Sequence, residues 1–447
     1  MGKSVVRKPF NWISGFQDFS GTSKDAFDPA SHEVIGHNPD NGSEAVKSAV
    51  AATVEACHET MWAHDRELRA RVLEQQVQAF GRNRDDFLEV PPLETGKIRE
   101  EAALERDMIP SKLRNSGATA LADSDRAVTS KPVGISLILG QAMGVAPVMA
   151  PRNSPAALAI RSLAAASAAG CTTVMNEAED MPKGVINLFF QASPEGSAYL
   201  VASPEVPVVN FAGSKCTGRA ISSNGAKHLK RFGMELGGKT PRIVLDDSKI
   251  YVPLPALEDA LTFFDGQCGM TGSQLLMQNG GHGAVCNGLA EWPRTIGVGP
   301  AGHPSSDMGP LIDRANIERV DHAVQTAIAA EAKVVERGDP VKVGFHRNGA
   351  FFRPASLEVC DDILAIMQEE TFGTVITIQW FSDEAEAIRP ANDHELGLAA
   401  SIRPRDLDGS RLSRRRSKQV WSGSTIGRGS ATITKKAASS SPASAPE

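Results

Sequence analysis

Gly233-Met234-Glu235-Leu236-Gly237-Gly238-Lys239-Thr240, followed by Pro241-Arg242-Ile243-Val244-Leu245, is the stretch from which the fold is read. The segment up to Thr240 satisfies the phosphate-loop pattern G-x-x-x-x-G-K-[ST] letter for letter, so a P-loop nucleotide hydrolase is one reading. Such a loop needs a helix opening at the Lys-Thr pair, whose first-turn donors hold phosphate. Here a proline and a β-branched run follow, and those residues spell a strand.

Outward from this point, short apolar runs alternate with single helices, the pattern of an α/β fold with a largely parallel sheet. Towards the N-terminus, Val46, Val50, Val54 and Cys57 recur at helical spacing and predict a helix over 43–64 capped by Ser43. A second helical region is expected over 66–106, interrupted where Pro91 and Pro92 remove backbone donors. Strands are predicted at 133–140, 145–150, 172–175, 206–211 and 242–245. A helix over 156–169 carries Pro155 at its start and Gly170 past its end. Another, over 218–229, separates the last two strands and gives the strand, helix, strand rhythm of a dinucleotide-binding domain. Towards the C-terminus the alternation resumes, with strands near 275–278, 333–335 and 375–380 and no internal repeat. The stretch after Lys435 holds Ala, Ser and Pro without a large apolar residue and is expected to be disordered.

Composition sets the class. The chain has 447 residues, 41% hydrophobic and 22% charged, with a net charge of −6. It is too long for one core and suits two or three domains. No run of about 18 apolar residues occurs, so no membrane span is expected. Residues 1–10 lack an apolar secretion segment, and Val6 stands where myristoylation needs Ser or Thr. The six cysteines are sparse, evenly spread and without a Cys-x-x-Cys pair. No disulfide framework and no metal site are therefore expected, and a reducing cytoplasm is. The mild acidity argues against nucleic acid as a partner, and the basic run Arg414-Arg415-Arg416 reads as a solvated helix face.

Met234-Glu235-Leu236-Gly237-Gly238-Lys239 resembles the glutamate motif of the aldehyde dehydrogenase superfamily, and other segments match that family in the same order. Ala150-Pro151-Arg152-Asn153-Ser154-Pro155 is similar to its PWN segment, and Phe211-Ala212-Gly213-Ser214 with Gly218 to its FTGS turn. Asp307-Met308-Gly309-Pro310-Leu311-Ile312, Gln368-Glu369-Glu370-Thr371-Phe372-Gly373 and the run from Ala391-Asn392-Asp393 to Gly397-Leu398-Ala399-Ala400 are further matching blocks. The resemblance covers about residues 12 to 405. It implies an α/β fold with a Rossmann-like NAD-binding domain over 1–235, a second α/β catalytic domain over 236–421 and a tail over 422–447. An oligomerisation arm is expected near 115–140, with a homo-oligomer as its consequence.

The implied activity is NAD(P)-dependent oxidation of a small-molecule aldehyde to a carboxylic acid through a cysteine thiohemiacetal and thioester. That chemistry needs a thiolate, donors for an oxyanion, a nicotinamide to take hydride and a base to activate water. The resemblance assigns the oxyanion donor to Asn153 and the base to Glu235, and expects both to line one pocket with Cys268 and Gly269. It assigns cofactor contacts to Gly213, Ser214, Gly218, Asn176, Glu179, Leu236, Glu370 and Phe372. Gly213, Ser214 and Gly218 form a glycine-spaced turn opening a helix, where backbone donors and the dipole suit a pyrophosphate. Glu179 would repel a 2′-phosphate and so favours NAD over NADP.

The chain departs from the family at the nucleophile. In ungapped register over Gly266-Gln267-Cys268-Gly269-Met270-Thr271-Gly272-Ser273, the catalytic position is Gly269, and Cys268 precedes it. Two readings stand: a backbone shift that presents Cys268, eased by Gly269, or a non-catalytic member of the fold. Asn176 replaces a Lys, Arg152 a Trp and Thr374 a Pro of the family motifs. The helix expected between Asp180 and Met181 is missing, and Ser/Gly-rich sequence follows Trp421 where a final strand is expected.

Overall fold

The computed structural model describes residues 10–40, 42–122, 125–130, 134–173, 180–190, 193–245, 261–341, 347–403, 421–423 and 434–435. The backbone divides into two compact units, Met1–Phe27 with Glu33–Glu94 and Arg99–Glu235, and Asp28–His32 with Thr95–Ile98 and Leu236–Glu447.

In the first unit, β1 (Asn11–Ile13) pairs with β2 (Phe16–Asp18) and β3 (Thr22–Phe27) with β4 (Val34–Asp40), both antiparallel. The helices α1 (Gly42–Glu59), α2 (Arg66–Arg82), α3 (Val90–Thr95) and α4 (Arg99–Leu121) follow. Pro91 and Pro92 do not interrupt a helix; they sit in the first turn of α3, where a missing N–H leaves no bond unmade. The interruptions fall on either side, at the 3₁₀ turn Asp85–Leu88 and at Gly96, which adopts φ +81°. The segment expected as a strand over 133–140 forms β6 (Gly134–Ile138), which among the described residues pairs only with β5 (Arg126–Ser130), antiparallel and apart from the main sheets.

The sheet of this unit consists of β7 (Val148–Met149), β8 (Val208–Gly213) and β9 (Arg231–Leu236), with β8 in the middle. Val148 lies opposite Asn210 in parallel register, and the Arg231 N–H donates to the Pro207 carbonyl at 2.9 Å, so all three strands run the same way. α5 (Pro155–Ala168) follows β7, α6 (Glu195–Ala202) precedes β8, and α7 (Lys215–Gly225) joins β8 to β9. The strand, helix, strand unit is therefore completed by β9 and not by 242–245, which belongs to the other unit. Arg231-Phe232-Gly233-Met234-Glu235 carries no β-branched residue and an internal glycine, so propensity conceals the strand. Parallel bridges Val145–Thr172 and Thr173–Ile186 continue the alignment, and residues 180–190 contain no helix. Leu73, Val77, Ile109, Leu113 and Ile160 bury the seam of α2, α4 and α5.

The second unit is built on an eight-stranded sheet. In chain order its strands are β10 (Pro241–Val244), β11 (Gln274–Gln278), β12 (Lys333–Glu336), β13 (Ala355–Glu358), β14 (Val375–Phe381), β15 (Ala399–Arg403), β16 (Trp421–Gly423) and β17 (Thr434–Lys435). Their spatial order is β12-β13-β14-β11-β10-β15-β16-β17, parallel inside and antiparallel at both edges. Alternation along the central strands covers both faces. Val244, Leu275 and Met277 pack with Leu289 and Trp292 of α8 (His282–Thr295), while Ile243 and Leu276 pack with Ala387 and Ala391 of α11 (Glu384–Asn392). Leu275 and Leu276 are almost fully buried, each contributing about 2 kcal/mol of hydrophobic stabilisation. Val320 and Val324 of α9 (Arg314–Ala329) pack against Leu357 and Val375, and α10 (Ala365–Gln368) adds Ile366 and Met367. The strand Trp421–Gly423, at the boundary of the 422–447 tail expected to be disordered, and Thr434–Lys435 within it extend the sheet; Arg414 to Arg416 and residues 436–447 lie outside the described residues.

Candidate active site

Three of the expected residues share one end of the first unit's sheet. The turn after β7 carries Asn153, the turn after β8 carries Ser214, and Glu235 sits near the end of β9. These are the C-terminal ends of parallel strands, where open α/β sheets bind their ligands. Ser214 caps α7, its Oγ accepting the Thr217 N–H at 3.2 Å. Its carbonyl accepts the Gly218 N–H at 3.0 Å. A Cβ on Gly213 would stand 2.6 Å from the Phe211 ring, which is why this turn takes glycine.

Asn153 is half-buried and precedes Ser154, the N-cap of α5. The α5 N-terminus is held by Glu105 of α4, fully buried, whose Oε1 accepts the Ala157 N–H at 2.9 Å. A carboxylate there satisfies a first-turn donor and complements the helix dipole, fixing the turn that carries Asn153. Two turns along α5, Arg161 Nη2 stands 3.6 Å from Glu235 Oε1. Nothing in the sequence motifs marks Glu105 or Arg161.

The second unit holds the nucleophile segment in a strained conformation. Phe264 and Asp265 adopt positive φ (50° and 57°) before Gly266 at 70°; such conformations cost about 1–3 kcal/mol per non-glycine residue and need surroundings that impose them. Those surroundings are identifiable. Lys97 Nζ lies 4.5 Å from the Phe264 ring centroid, and the buried Asp265 accepts the Gly309 N–H at 2.6 Å. Gln267 Oε1 accepts the Ile312 N–H at 3.0 Å. The block Asp307–Ile312 is thereby explained as a clamp on the nucleophile segment. Gly266 abuts the Gly373–Thr374 peptide, where a Cβ would come within 2.5 Å.

Beyond the clamp, Cys268 is half-buried and its carbonyl accepts the Thr271 N–H at 3.1 Å. The Gly269 carbonyl accepts from Thr240 Oγ1 at 2.6 Å. A Cβ built on Gly269 would lie 3.3 Å from Glu370 Oε1 and from the Gly238 nitrogen, and 2.8 Å from Leu398 Cδ2. The position that the family alignment gives to the nucleophile thus faces Glu370.

Glu370 Oε1 also accepts the Gly238 N–H at 3.0 Å. Leu236 and Gly237 precede this contact in the chain, and a Cβ on Gly237 would stand 1.9 Å from Glu370 Oε2, so the carboxylate rests against bare backbone. Burial pushes the Glu370 carboxyl up; the Gly238 N–H and the charges of Lys239 and Arg319 pull it back. Phe372, at φ +47°, is held by Arg319, whose guanidinium donates to the carbonyls of Thr371 and Phe372, the latter at 3.1 Å. Lys239 is fully buried, makes no hydrogen bond from Nζ among the described residues, and titrates at about 8 because burial disfavours the ammonium. The P-loop reading fails here: a lysine beneath the surface and a strand at Pro241–Val244 leave no helix N-terminus for phosphate.

The structure therefore gathers Asn153, Ser214, Gly213, Gly218 and Glu235 in one unit, and Leu236, Cys268, Glu370 and Phe372 in the other. Asn176 and Glu179 lie outside the described residues. In the second unit an acceptor-only carboxylate on a glycine cradle suits a ribose hydroxyl, and in the first unit the Ser214-capped turn suits a phosphate, the two kinds of group a dinucleotide presents.

Comparison with known proteins agrees with this arrangement. The sequence profile of the aldehyde dehydrogenase family matches residues 16–418. Betaine aldehyde dehydrogenase of Bacillus subtilis (strain 168) is 28% identical over 415 residues, covering 89% of this chain and 84% of that protein. Glutarate-semialdehyde dehydrogenase of Pseudomonas aeruginosa is 30% identical over 400 residues, covering 85% and 81%. Among solved structures, betaine aldehyde dehydrogenase of Staphylococcus aureus in complex with NAD+ superposes with a TM-score of 0.88 at 27% identity, covering 92% of this chain and 85% of that one. The chain belongs to the aldehyde dehydrogenase family, whose members oxidise aldehydes to acids.

Proposed function

We propose that this chain is a slow NAD-dependent aldehyde dehydrogenase in which Cys268 is the thiol and Gly269 occupies the position the family gives to it. The observation that carries the reading is the direction of a Cβ on Gly269, towards Glu370 Oε1 and the Gly238 nitrogen. Cys268 is one residue out of this register, and a misplacement of about 1 Å already costs about a hundredfold in rate.

Glu370 and Phe372 would hold the nicotinamide riboside, Leu236 would pack beside it, and Gly213, Ser214 and Gly218 would receive the pyrophosphate. Bound NAD supplies the hydride acceptor. The remaining work falls to the chain. The Cys268 thiolate adds to the aldehyde carbon, the Asn153 amide donates to the oxygen that becomes anionic, and Glu235 takes a proton from the water that hydrolyses the thioester. Arg161 beside Glu235 orients that carboxylate. Asn176 and Glu179 would complete the adenosine end, and a carboxylate at Glu179 favours NAD over NADP. The test is NADH formation by wild type, C268A and G269C with a panel of aliphatic and aromatic aldehydes. Equal turnover in wild type and C268A would remove Cys268 from the mechanism.

The β5–β6 hairpin is proposed as the arm of a homo-oligomer. Ile135, Leu137 and Leu139 are 75%, 65% and 60% exposed, more apolar surface than a lone hairpin leaves in water. Light scattering on I135E/L137E, expected to give monomers, tests it. A reducing, cytoplasmic setting is supported by six cysteines, none of them in a disulfide in the structure. Among the described residues no helix is long and apolar enough to cross a membrane.

A further inference from the structure

The edge of the second unit's sheet carries a cluster that the aldehyde chemistry does not use. His282 and Cys286 are one turn apart on α8, and Glu358 ends β13 beside them. The imidazole, thiol and carboxylate ligand atoms all lie within 4.8 Å of one another. His282 Nε2 is 3.8 Å from Glu358 Oε2, and the His282 ring packs against Trp380 with centroids 4.3 Å apart. We propose that His282, Cys286 and Glu358 form a site for a single zinc-like divalent cation that pins the start of α8 to β13.

The chemistry of the three groups supports this. A thiolate, an imidazole and a carboxylate are a zinc donor set. The two anionic ligands offset the 2+ charge, and water takes the fourth position. Tetrahedral bonds of about 2.0–2.3 Å place ligand atoms about 3.3–3.8 Å apart; the His282–Glu358 pair is already at 3.8 Å and all three atoms lie within 4.8 Å, so small side-chain adjustments close the cluster. Metal binding would form the metal–sulfur bond as the thiol proton leaves to solvent.

Lys333 holds the place the cation would take. It faces Glu358 in the β12–β13 register, with its ammonium 2.9 Å from Oε2. That side chain is 64% exposed. It can move to water at the small cost of an exposed ion pair. Cys360, two residues past Glu358 and exposed, is the neighbouring thiol the test must separate. No Cys-x-x-Cys spacing announces the cluster, since its third ligand arrives from a distant strand.

The experiment is titration of the full-length, metal-free protein with Co²⁺, followed by displacement with Zn²⁺. One equivalent of Co²⁺ should give a near-ultraviolet thiolate-to-cobalt band and the strong visible bands of four-coordination. C286S should abolish the thiolate band and C360S should leave it. H282A and E358Q should weaken binding at least about tenfold, since loss of even an outer-shell partner costs that much. K333M should tighten binding by removing the competing ammonium. Circular dichroism of the metal-free variants confirms that each is folded. A thiolate band that survives C286S, or binding that weakens in K333M, overturns the assignment.

Discussion

Glu370 and Gly269 face each other: the carboxylate oxygen Oε1 lies 3.3 Å from the place a Cβ on Gly269 would take, while the same oxygen accepts the Gly238 N–H at 3.0 Å. The nucleophile position and a proposed ribose-binding carboxylate are thus neighbours in one unit, and the side chain missing at Gly269 points into that neighbourhood. The tightest neighbour of such a Cβ is Leu398 Cδ2 at 2.8 Å, the far end of a flexible side chain, with Glu370 Oε1 and the Gly238 backbone nitrogen next at 3.3 Å. A cysteine at 269 needs a Leu398 rotamer change and a shift of a few tenths of an ångström against Glu370 and the Gly238 backbone.

Replacing Gly269 with Cys should therefore raise NADH formation by about a hundredfold or more over wild type, since even a misplacement of about 1 Å costs about that factor. C268A should abolish wild-type turnover and leave G269C turnover nearly unchanged. Initial rates in the four backgrounds decide it. Wild-type rates matching those of G269C would overturn the alignment, and an inactive G269C would place the defect elsewhere in the chain.

Asp265 connects the nucleophile segment to the Asp307–Ile312 block through one short bond to the Gly309 N–H. D265A would leave that buried donor unsatisfied, costing about 1–3 kcal/mol. D265N retains an acceptor and should cost less. Urea denaturation of both variants measures the difference, and equal midpoints for wild type and D265A would remove the clamp.

Sequence motifs mark the residues proposed to carry chemistry and not the residues that hold them. Glu235, Asn153, Ser214 and Glu370 were legible because each lies in a local pattern, and Pro241 alone was enough to turn a phosphate loop into a strand. Glu105, Arg161 and Arg319 carry no such pattern. Their roles arise where their helices meet segments distant in sequence: Glu105 at Ala157, Arg161 at Glu235, Arg319 at Thr371 and Phe372. β9 was hidden for a different reason, since parallel pairing with β8 overrides a weak local propensity.

Arg319 secures two consecutive carbonyls and with them the positive φ of Phe372. A lysine has a point charge and no fixed fork, so R319K cannot reproduce both bonds. NAD affinity measured by calorimetry should fall about tenfold in R319K and further in R319A, which corresponds to about 1.4 kcal/mol for the first step. Unchanged affinity in R319A would separate Phe372 from the cofactor.

Lys239 gives a pH signature with a definite sign. Its ammonium is fully buried beside Glu370 and His394, and burial lowers its pKa from 10.5 to about 8. Above about pH 8 the folded chain has released this proton while the unfolded chain retains it up to 10.5. The unfolded state then binds more protons, so stability from this group rises with pH between those values. Below that window the buried charge costs its full desolvation penalty, reduced by the attraction of Glu370. K239M keeps the length of the side chain without the charge and should be more stable than wild type by about 1–4 kcal/mol at pH 7. The gap should narrow as pH rises from about 8 towards 10.5. Denaturation midpoints for the pair at pH 7, 8, 9 and 10 test this, each difference cancelling the titration of every other group. A gap that is constant with pH would mean that Lys239 keeps its proton throughout and that Glu370 compensates it fully.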